Sequence, residues 1–543
     1  MKLFSRDQWS TVIAAGIVFV LAILIRLPSC YQSFWVDELH TAWAVWADLS
    51  EVSKRATLGN QTPLYFQVMW IWKSIVGDSE VALRMSSVLA VATASALLVL
   101  GVRQTTQDLS AGVLSGLVLA VESNSVFFGT EFRPYAFVML FTVIATWAAV
   151  AMLTHARTIG RANLRLILVS AVCCAALLHP TAVVTLGILV GLTLLVSFLQ
   201  HRSLWQFQIS DVVACILIAA VAFSLLHSSL GDSWENRNQW RAFGQASSLR
   251  QLWLIWDWIP LAILPGFLAV TALRTRRVVE VVQAFVPAAA AVTATCLFFA
   301  ASYFDWVPLW HRRYFVAALP MLAWSTGGCA LLVLPNESGK WRTSAAMGLV
   351  VCLIGLLTWQ QDTITQWRNG KTQLVFRGED WRGAAAWIAS SRAPSDAVLL
   401  DSGLVEGQQP FAWGNRERLG SGYFLFPLSG PYRLEKLKEG FVRQDWSRGF
   451  KVDHFGFSIR ATESYRRPGR GNVDFTDSGR EHIWFVARSS RQAFARQVTN
   501  WEISQQLHYE LKSFGRVHVV RFDVLRPRLL DGWEPIDLGT YNR

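Results

Sequence analysis

Charge is what this sequence lacks. Asp, Glu, Lys and Arg make up 16% of its 543 residues, against about 25% in soluble globular domains. A chain with so few charges cannot clothe its whole surface in water-seeking groups, which excludes a single ordinary soluble globule. Acids are scarcer than bases, 38 against 50, leaving a net charge of +12. No basic stripe or RNA-binding motif accompanies that excess, so a nucleic-acid partner is set aside. The bases read instead as loop charges beside apolar spans. Cysteine is sparse as well. Cys30, Cys173, Cys174, Cys215, Cys296, Cys329 and Cys352 show neither zinc spacing nor a disulfide framework, and none lies in the last third of the chain.

Apolar residues fill the gap, at 52% of the chain with a mean hydropathy of +0.32. A membrane span needs about 20 of them in a row. Such runs lie near 11–27, 81–101, 110–128, 134–153, 164–180, 181–200, 209–229, 252–272, 282–302, 313–334 and 343–360. Lys2 and Arg6 before the first run, and Leu27-Pro28-Ser29-Cys30 after it, imitate a secretory leader with a lipoprotein cleavage box. Pro28 fits that box poorly and many spans follow, so the run is read as an uncleaved first transmembrane helix. With the N-terminus inside, Lys and Arg are denser in the inside loops than in the outside ones, the sign of the positive-inside rule. An odd number of spans then puts residues after 360 outside.

The C-terminal stretch reads as soluble. Asp380–Ala389 has helical spacing; Ala397–Leu400, Ile483–Val486 and Val517–Val520 read as strands, with a helical stretch near 490–512 between the last two. The expectation is a polytopic α-helical membrane protein of roughly 11 transmembrane helices with a C-terminal soluble α/β domain. Residues 1–360 form the membrane domain, with a first outer loop at 28–80, and residues 361–543 form an extracytoplasmic domain.

The topology, drawn from hydropathy and basic residues alone, gathers particular side chains on the outside. The first loop carries Asp37, Glu38 and His40, then Gln61-Thr62-Pro63-Leu64-Tyr65; a later outside loop carries Glu131, Arg133 and Tyr135; Asp305 and His311-Arg312-Arg313-Tyr314 reach the same side. A carboxylate can deprotonate an attacking hydroxyl. Guanidinium groups can hold a phosphate and stabilise the charge that grows as it leaves. Each also has a plainer reading. Asp37 and Glu38 suit any polar loop, Glu131 with Arg133 suits a surface pair, and Arg312 and Arg313 suit headgroup anchors. His40 and His179 suit structural histidines better than metal ligands. The tryptophans of the first loop fit an interfacial belt as well as a sugar platform.

The order of segments carries a resemblance. An outside Asp-Glu is followed by Pro63-Leu64-Tyr65, by Gly77-Asp78-Ser79-Glu80-Val81-Ala82-Leu83-Arg84-Met85-Ser86-Ser87, and by Glu131-Phe132-Arg133-Pro134-Tyr135-Ala136. Arg313-Tyr314-Phe315 with Pro320, and Glu379-Asp380-Trp381-Arg382-Gly383-Ala384-Ala385, come later. Together they resemble the bacterial branch of the dolichyl-phosphate-mannose–protein mannosyltransferase family. That family lies within the GT-C superfamily of polyprenyl-phosphate-sugar-dependent glycosyltransferases, where lipid A aminoarabinose transferases are more distant relatives. Gln61-Thr62-Pro63 departs from the His-Pro-Pro common in relatives.

The resemblance implies an inverting hexosyl- or pentosyltransferase of the bacterial cytoplasmic (inner) membrane, with its active site on the extracytoplasmic face. Asp37 is then the catalytic base, with Glu38 and Glu131 beside it. Arg133, Arg312 and Arg313 bind the donor phosphate, and His40, Tyr65 and Tyr135 bind substrate. The implied partners are a polyprenyl-phosphate sugar, membrane lipid, and a protein, lipid or polysaccharide acceptor. No cofactor is assigned; divalent metal dependence varies across the superfamily, which leaves Mg or Mn open. The competing readings are a secondary transporter or flippase of envelope lipids or saccharides, and a non-catalytic envelope partner. A transporter places its polar groups near the bilayer midplane on broken helices, whereas here they cluster in loops.

Overall fold

A backbone that crosses lipid must satisfy its own hydrogen bonds, so the long apolar runs become helices. The computed structural model describes residues 6–59, 61–154, 160–201, 209–235, 244–273, 278–334, 340–369, 371, 375–393, 396–401, 423, 426–434, 482–500 and 507–527. In chain order the helices are α1 (Arg6–Arg26), α2 (Val36–Val45), α3 (Leu49–Leu58), α4 (Pro63–Val76), α5 (Glu80–Thr106), α6 (Leu109–Val121), α7 (Ser123–Phe128), α8 (Tyr135–Leu153), α9 (Arg161–Leu178), α10 (Ala182–His201) and α11 (Ile209–Glu235). There follow α12 (Leu249–Trp253), α13 (Leu264–Leu273, entered through a π turn at Ile259–Ile263), α14 (Val278–Tyr303), α15 (Ala318–Ala330), α16 (Lys340–Gln360), α17 (Thr363–Arg368), α18 (Trp381–Ser391) and α19 (Arg491–Asn500).

Every expected span has its helix. Seven are long and apolar enough to cross a membrane, and four shorter apolar helices match the rest. The expected span at 110–128 is not one rod. Glu122 ends α6 and caps α7, its carboxylate accepting from the Ser125 N–H at 2.7 Å. The helix pair expected to meet at His179-Pro180 does break there, since Pro180 has no N–H to continue the ladder.

The chain divides into two compact units: residues 1–31 with 60–376, and residues 32–59 with 377–543. In the first, α5 packs against α1, α6 and α8. Small residues let these helices approach closely, as membrane bundles favour; a Cβ at Gly116 of α6 would fall 2.6 Å from Val99 Cγ2 of α5.

The second unit contains a four-stranded sheet of order β1-β2-β4-β3, with β1 (Ala397–Asp401), β2 (His482–Arg488), β3 (Leu507–Phe514) and β4 (Val517–Pro527). β1 and β2 are parallel; the other pairs are antiparallel. The three expected strands and the helix at 380–389 are present. The helical stretch expected near 490–512 is shorter, because residues 507–512 belong to β3. Gly515, at φ 67°, turns the chain directly into β4 and commits both flanks to a hairpin. Residues 402–422, 424–425 and 435–481 lie outside the described residues.

The first loop does not stay with the membrane helices. Residues 32–59, carrying α2 and α3, are part of the second unit. The Arg377 N–H donates to Gln32 Oε1 at 3.1 Å, the Arg382 N–H to Ser33 Oγ at 3.3 Å, and the Phe34 N–H to the Tyr432 hydroxyl at 2.6 Å.

Candidate active site

In the membrane unit the expected site residues of the Glu131 loop are held where α1, α5 and the end of α6 meet, and sequence explains how. Gly77 ends α4 at φ 87°, and Ser79 caps α5 by accepting from the Ala82 N–H. Arg84, fully buried, donates to the Cys30 carbonyl at 2.8 Å. Ser87 donates to the Glu131 carbonyl at 2.5 Å. The Gly77–Ser87 motif is therefore a cap followed by two ties, the second holding the loop of Glu131 and Arg133. Arg26 pins the neighbouring α6 end, donating to the Ala120 carbonyl at 2.9 Å and to Ser125 Oγ at 2.8 Å. Phe132, Glu131 and Arg133 are all buried, Arg133 at 3% exposure.

Arg312 and Arg313 sit on a 3-10 turn, Arg312–Phe315. Phe315 is its anchor, wholly buried among Trp256, Phe298 and Trp310 with ring centroids 5.2–5.8 Å away. The two arginines part company from that turn. Arg313 lies over the Tyr314 ring, 5.0 Å from its centroid, and donates to the Tyr314 hydroxyl at 3.1 Å. Arg312 donates to Asn124 Oδ1 at 2.8 Å, and Asn124 donates to Glu122 Oε1 at 2.6 Å. Burial pushes the Glu122 carboxyl up, with the Asp257 charge adding to it. Asp257 is also raised by burial, opposed by the hydrogen bond from Gln361 and by Arg312.

Next to Arg313 lies His179, between the rings of Tyr135 (5.4 Å) and Tyr314 (6.0 Å). Thr181 Oγ1 is 2.7 Å from His179 Nδ1 and 2.7 Å from the Tyr314 carbonyl oxygen. A carbonyl can only accept, so the hydroxyl hydrogen goes there and the proton between Thr181 and the ring sits on Nδ1. The neutral ring thus presents a lone pair on Nε2. Burial first, then the charges of Arg313 and Arg133, lower the imidazole to about 3. Burial is the main reason the ring stays neutral, and the two guanidinium charges add to it. Arg133, Arg313, His179, Tyr135 and Tyr314 form one cluster; Arg312, with Asn124, Glu122 and Asp257, belongs to a second. Tyr65 is buried elsewhere among Phe66, Phe132 and Phe137.

The second unit holds Asp37, Glu38 and His40, all on α2. Asp37 is half-buried at the second position of the helix, where the positive end of the backbone dipole favours a carboxylate. Glu38 is not open to substrate: with 0% exposure it accepts from the Trp35 N–H at 3.3 Å and pairs with Arg377 at 3.6 Å. His40 is buried against Trp43, Tyr423 and Gly59. Glu379 joins them, its Oε2 accepting from the Val36 N–H at 2.9 Å.

Sequence reasoning gave no place to Thr181, Glu122 or Asn124, read His179 as structural, and named Glu379 only within a motif. Two signals were readable. Glu122 is an acid inside an apolar run, and His179-Pro180 breaks another. Among the described residues no group of three or more His, Cys, Asp or Glu could hold a metal ion.

A bundle of membrane helices whose polar loops gather at one end, with a soluble α/β unit that incorporates part of the first loop, is the GT-C type of fold. Residues 60–227 match the sequence profile of the dolichyl-phosphate-mannose-protein mannosyltransferase family. The chain is similar in structure to ArnT from Cupriavidus metallidurans bound to undecaprenyl phosphate, at TM-score 0.52 and 15% identity over 95% of this chain and 98% of that one. The apo state of the same protein matches at TM-score 0.52 and 14% identity, with the same coverage. No curated protein sequence matches the chain significantly. The GT-C, mannosyltransferase-like resemblance drawn from the sequence is thereby borne out at the level of fold.

Proposed function

We propose that the protein is a membrane glycosyltransferase that takes a sugar from a polyprenyl-phosphate donor and delivers it, with inversion, to an acceptor hydroxyl. The observation that carries this reading is the charge of a buried Arg133 and a part-buried Arg313 beside a buried, neutral His179. Such a cluster suits the head of a lipid phosphate, and the similarly folded ArnT has been seen with undecaprenyl phosphate. The loop charges support an outer-face site in a bacterial cytoplasmic membrane.

In the proposed reaction the acceptor oxygen attacks the anomeric carbon while its proton passes to the Asp37 carboxylate. The bond from that carbon to the phosphate oxygen breaks, and polyprenyl phosphate leaves with the electron pair. One displacement inverts the centre. Arg133 and Arg313 stabilise the charge gained by the phosphate. Glu131, on the same buried loop as Arg133, is assigned to substrate binding along with Tyr135. Arg312 acts one step away, through Asn124. Glu38 acts on Asp37 by fixing α2.

The test is transfer by purified, lipid-reconstituted protein, wild type beside Asp37→Asn, with radiolabelled polyprenyl-phosphate sugars and envelope extract as acceptor. A positioned base contributes about 10²–10⁴-fold, so Asp37→Asn should slow transfer by that factor while folding normally. Equal rates for both proteins would remove Asp37 from the chemistry. No donor consumed by folded wild type would remove the transferase reading.

A further inference from the structure

Glu379 belongs to a segment, Glu379–Ala385, that stands out in the sequence and has no part in the reaction described above. Its carboxylate is 5% exposed and fully engaged. Oε2 accepts from the Val36 N–H at 2.9 Å and from Trp381 Nε1–H at 3.0 Å; Oε1 accepts from Arg488 Nε–H at 2.5 Å. Val36 is the first residue of α2 and the neighbour of Asp37.

The first-turn N–H groups of a helix have no partner within it. Usually a Ser, Thr, Asp or Asn before the helix accepts from them. At α2 that position is Trp35, whose indole can only donate. The acceptors come from elsewhere: Glu38 takes the Trp35 N–H, and Glu379 takes the Val36 N–H. The next residue does the same for a different helix, Asp380 accepting from the Gly383 N–H at the start of α18. Two adjacent carboxylates thus fix the starts of two helices. One is their own; the other bears Asp37.

We propose that Glu379 is a positioning residue for Asp37, its buried carboxylate fixing the first turn of α2 and so the direction in which the base points. The inference rests on the reading of Asp37 as the base. It predicts a loss of turnover without a loss of donor binding, because Glu379 touches none of the groups assigned to the phosphate.

The experiment uses the full reconstituted chain with Glu379→Ala and Glu379→Gln, each in the wild-type and the Asp37→Asn background. A small misplacement of a reacting group costs about 100-fold, so Glu379→Ala should lower kcat by that order with the donor KM unchanged. Glu379→Gln keeps a carbonyl for the Val36 N–H and should stay within about tenfold of wild type. In the Asp37→Asn background Glu379→Ala should cost nothing further, as expected when two changes remove the same element. Backbone amide exchange supplies a readout independent of activity. Residues 36–40 should lose protection in Glu379→Ala while β2 and β4 keep theirs. Wild-type turnover in Glu379→Ala, an equal loss on top of Asp37→Asn, or deprotection spreading to the sheet would each overturn the proposal. Full activity of Asp37→Asn would instead overturn the reading of the base, and the exchange data would still decide whether Glu379 anchors α2.

Discussion

In the helical unit, buried arginines end on carbonyls: Arg26 on Ala22, Leu119 and Ala120, and Arg84 on Cys30. In the soluble unit a buried arginine ends on an acid, Arg377 on Glu38. Helix ends supply neutral acceptors, so these arginines tie neighbouring backbone together, with the Glu122 charge also acting on Arg26. The ion pair in the soluble unit cancels its own charge. One arrangement ties helix ends and loops together; the charge that acts on His179, second to its burial, comes instead from Arg313 and Arg133. The other only holds a helix in place. The same residue type ties helix ends through carbonyls in one unit and anchors α2 through a carboxylate in the other.

That contrast can be broken at Glu38. Glu38→Ala leaves Arg377 buried without its acid, and breaking a buried pair in this way costs about 3–5 kcal/mol. Thermal unfolding of the full chain should show an early transition of the soluble unit, with polyprenyl-phosphate binding retained. Loss of binding with unchanged unfolding would reverse the roles assigned to the two units. A smaller effect is expected at Arg313. Hydrogen bonds to charged groups are worth about 1.5–3 kcal/mol, so Arg313→Gln should raise the donor KM by roughly 10–100-fold. Arg312→Gln, one residue away but turned to Asn124, should raise it far less. Equal effects would merge the two clusters.

Per pH unit, the smallest effect is a pH dependence. The His179 imidazole lies at about 3 in the folded protein, against about 6.5 when unfolded. The unfolded chain therefore binds the extra proton between these values, and stability rises with pH across that window. The contribution is complete above the unfolded value and is lost as pH falls from 6.5 toward 3, at on the order of 1 kcal/mol per pH unit. His179→Asn should flatten that part of the profile; an unchanged slope would show that His179 is not the titrating group.

Much of this was legible in the sequence. Apolar length located the eleven expected spans, because lipid leaves a backbone few other options, but not α2, α3 and α4 within the first loop. The Gly77–Ser87 motif and the Glu131–Tyr135 loop were visible as motifs, and their structural reason is a pair of ties that reach 54 and 44 positions along the chain, Arg84 to Cys30 and Ser87 to Glu131. Glu379 was hidden because its partner Val36 lies 343 positions away, and no local pattern encodes such a contact. His179 reads as a structural histidine in the sequence; its neutrality comes from burial and from the charges of Arg313 and Arg133, which only the fold brings near. Arg312 and Arg313 looked equivalent because adjacency in sequence says nothing of direction, and a 3-10 turn sends neighbouring side chains apart.

The most direct test of the central claim is equilibrium binding of undecaprenyl phosphate to the reconstituted protein, comparing wild type, Asp37→Asn and Arg313→Gln. The account predicts that wild type and Asp37→Asn bind alike and that Arg313→Gln binds at least tenfold more weakly. Equal binding by all three, or none by wild type, would contradict it.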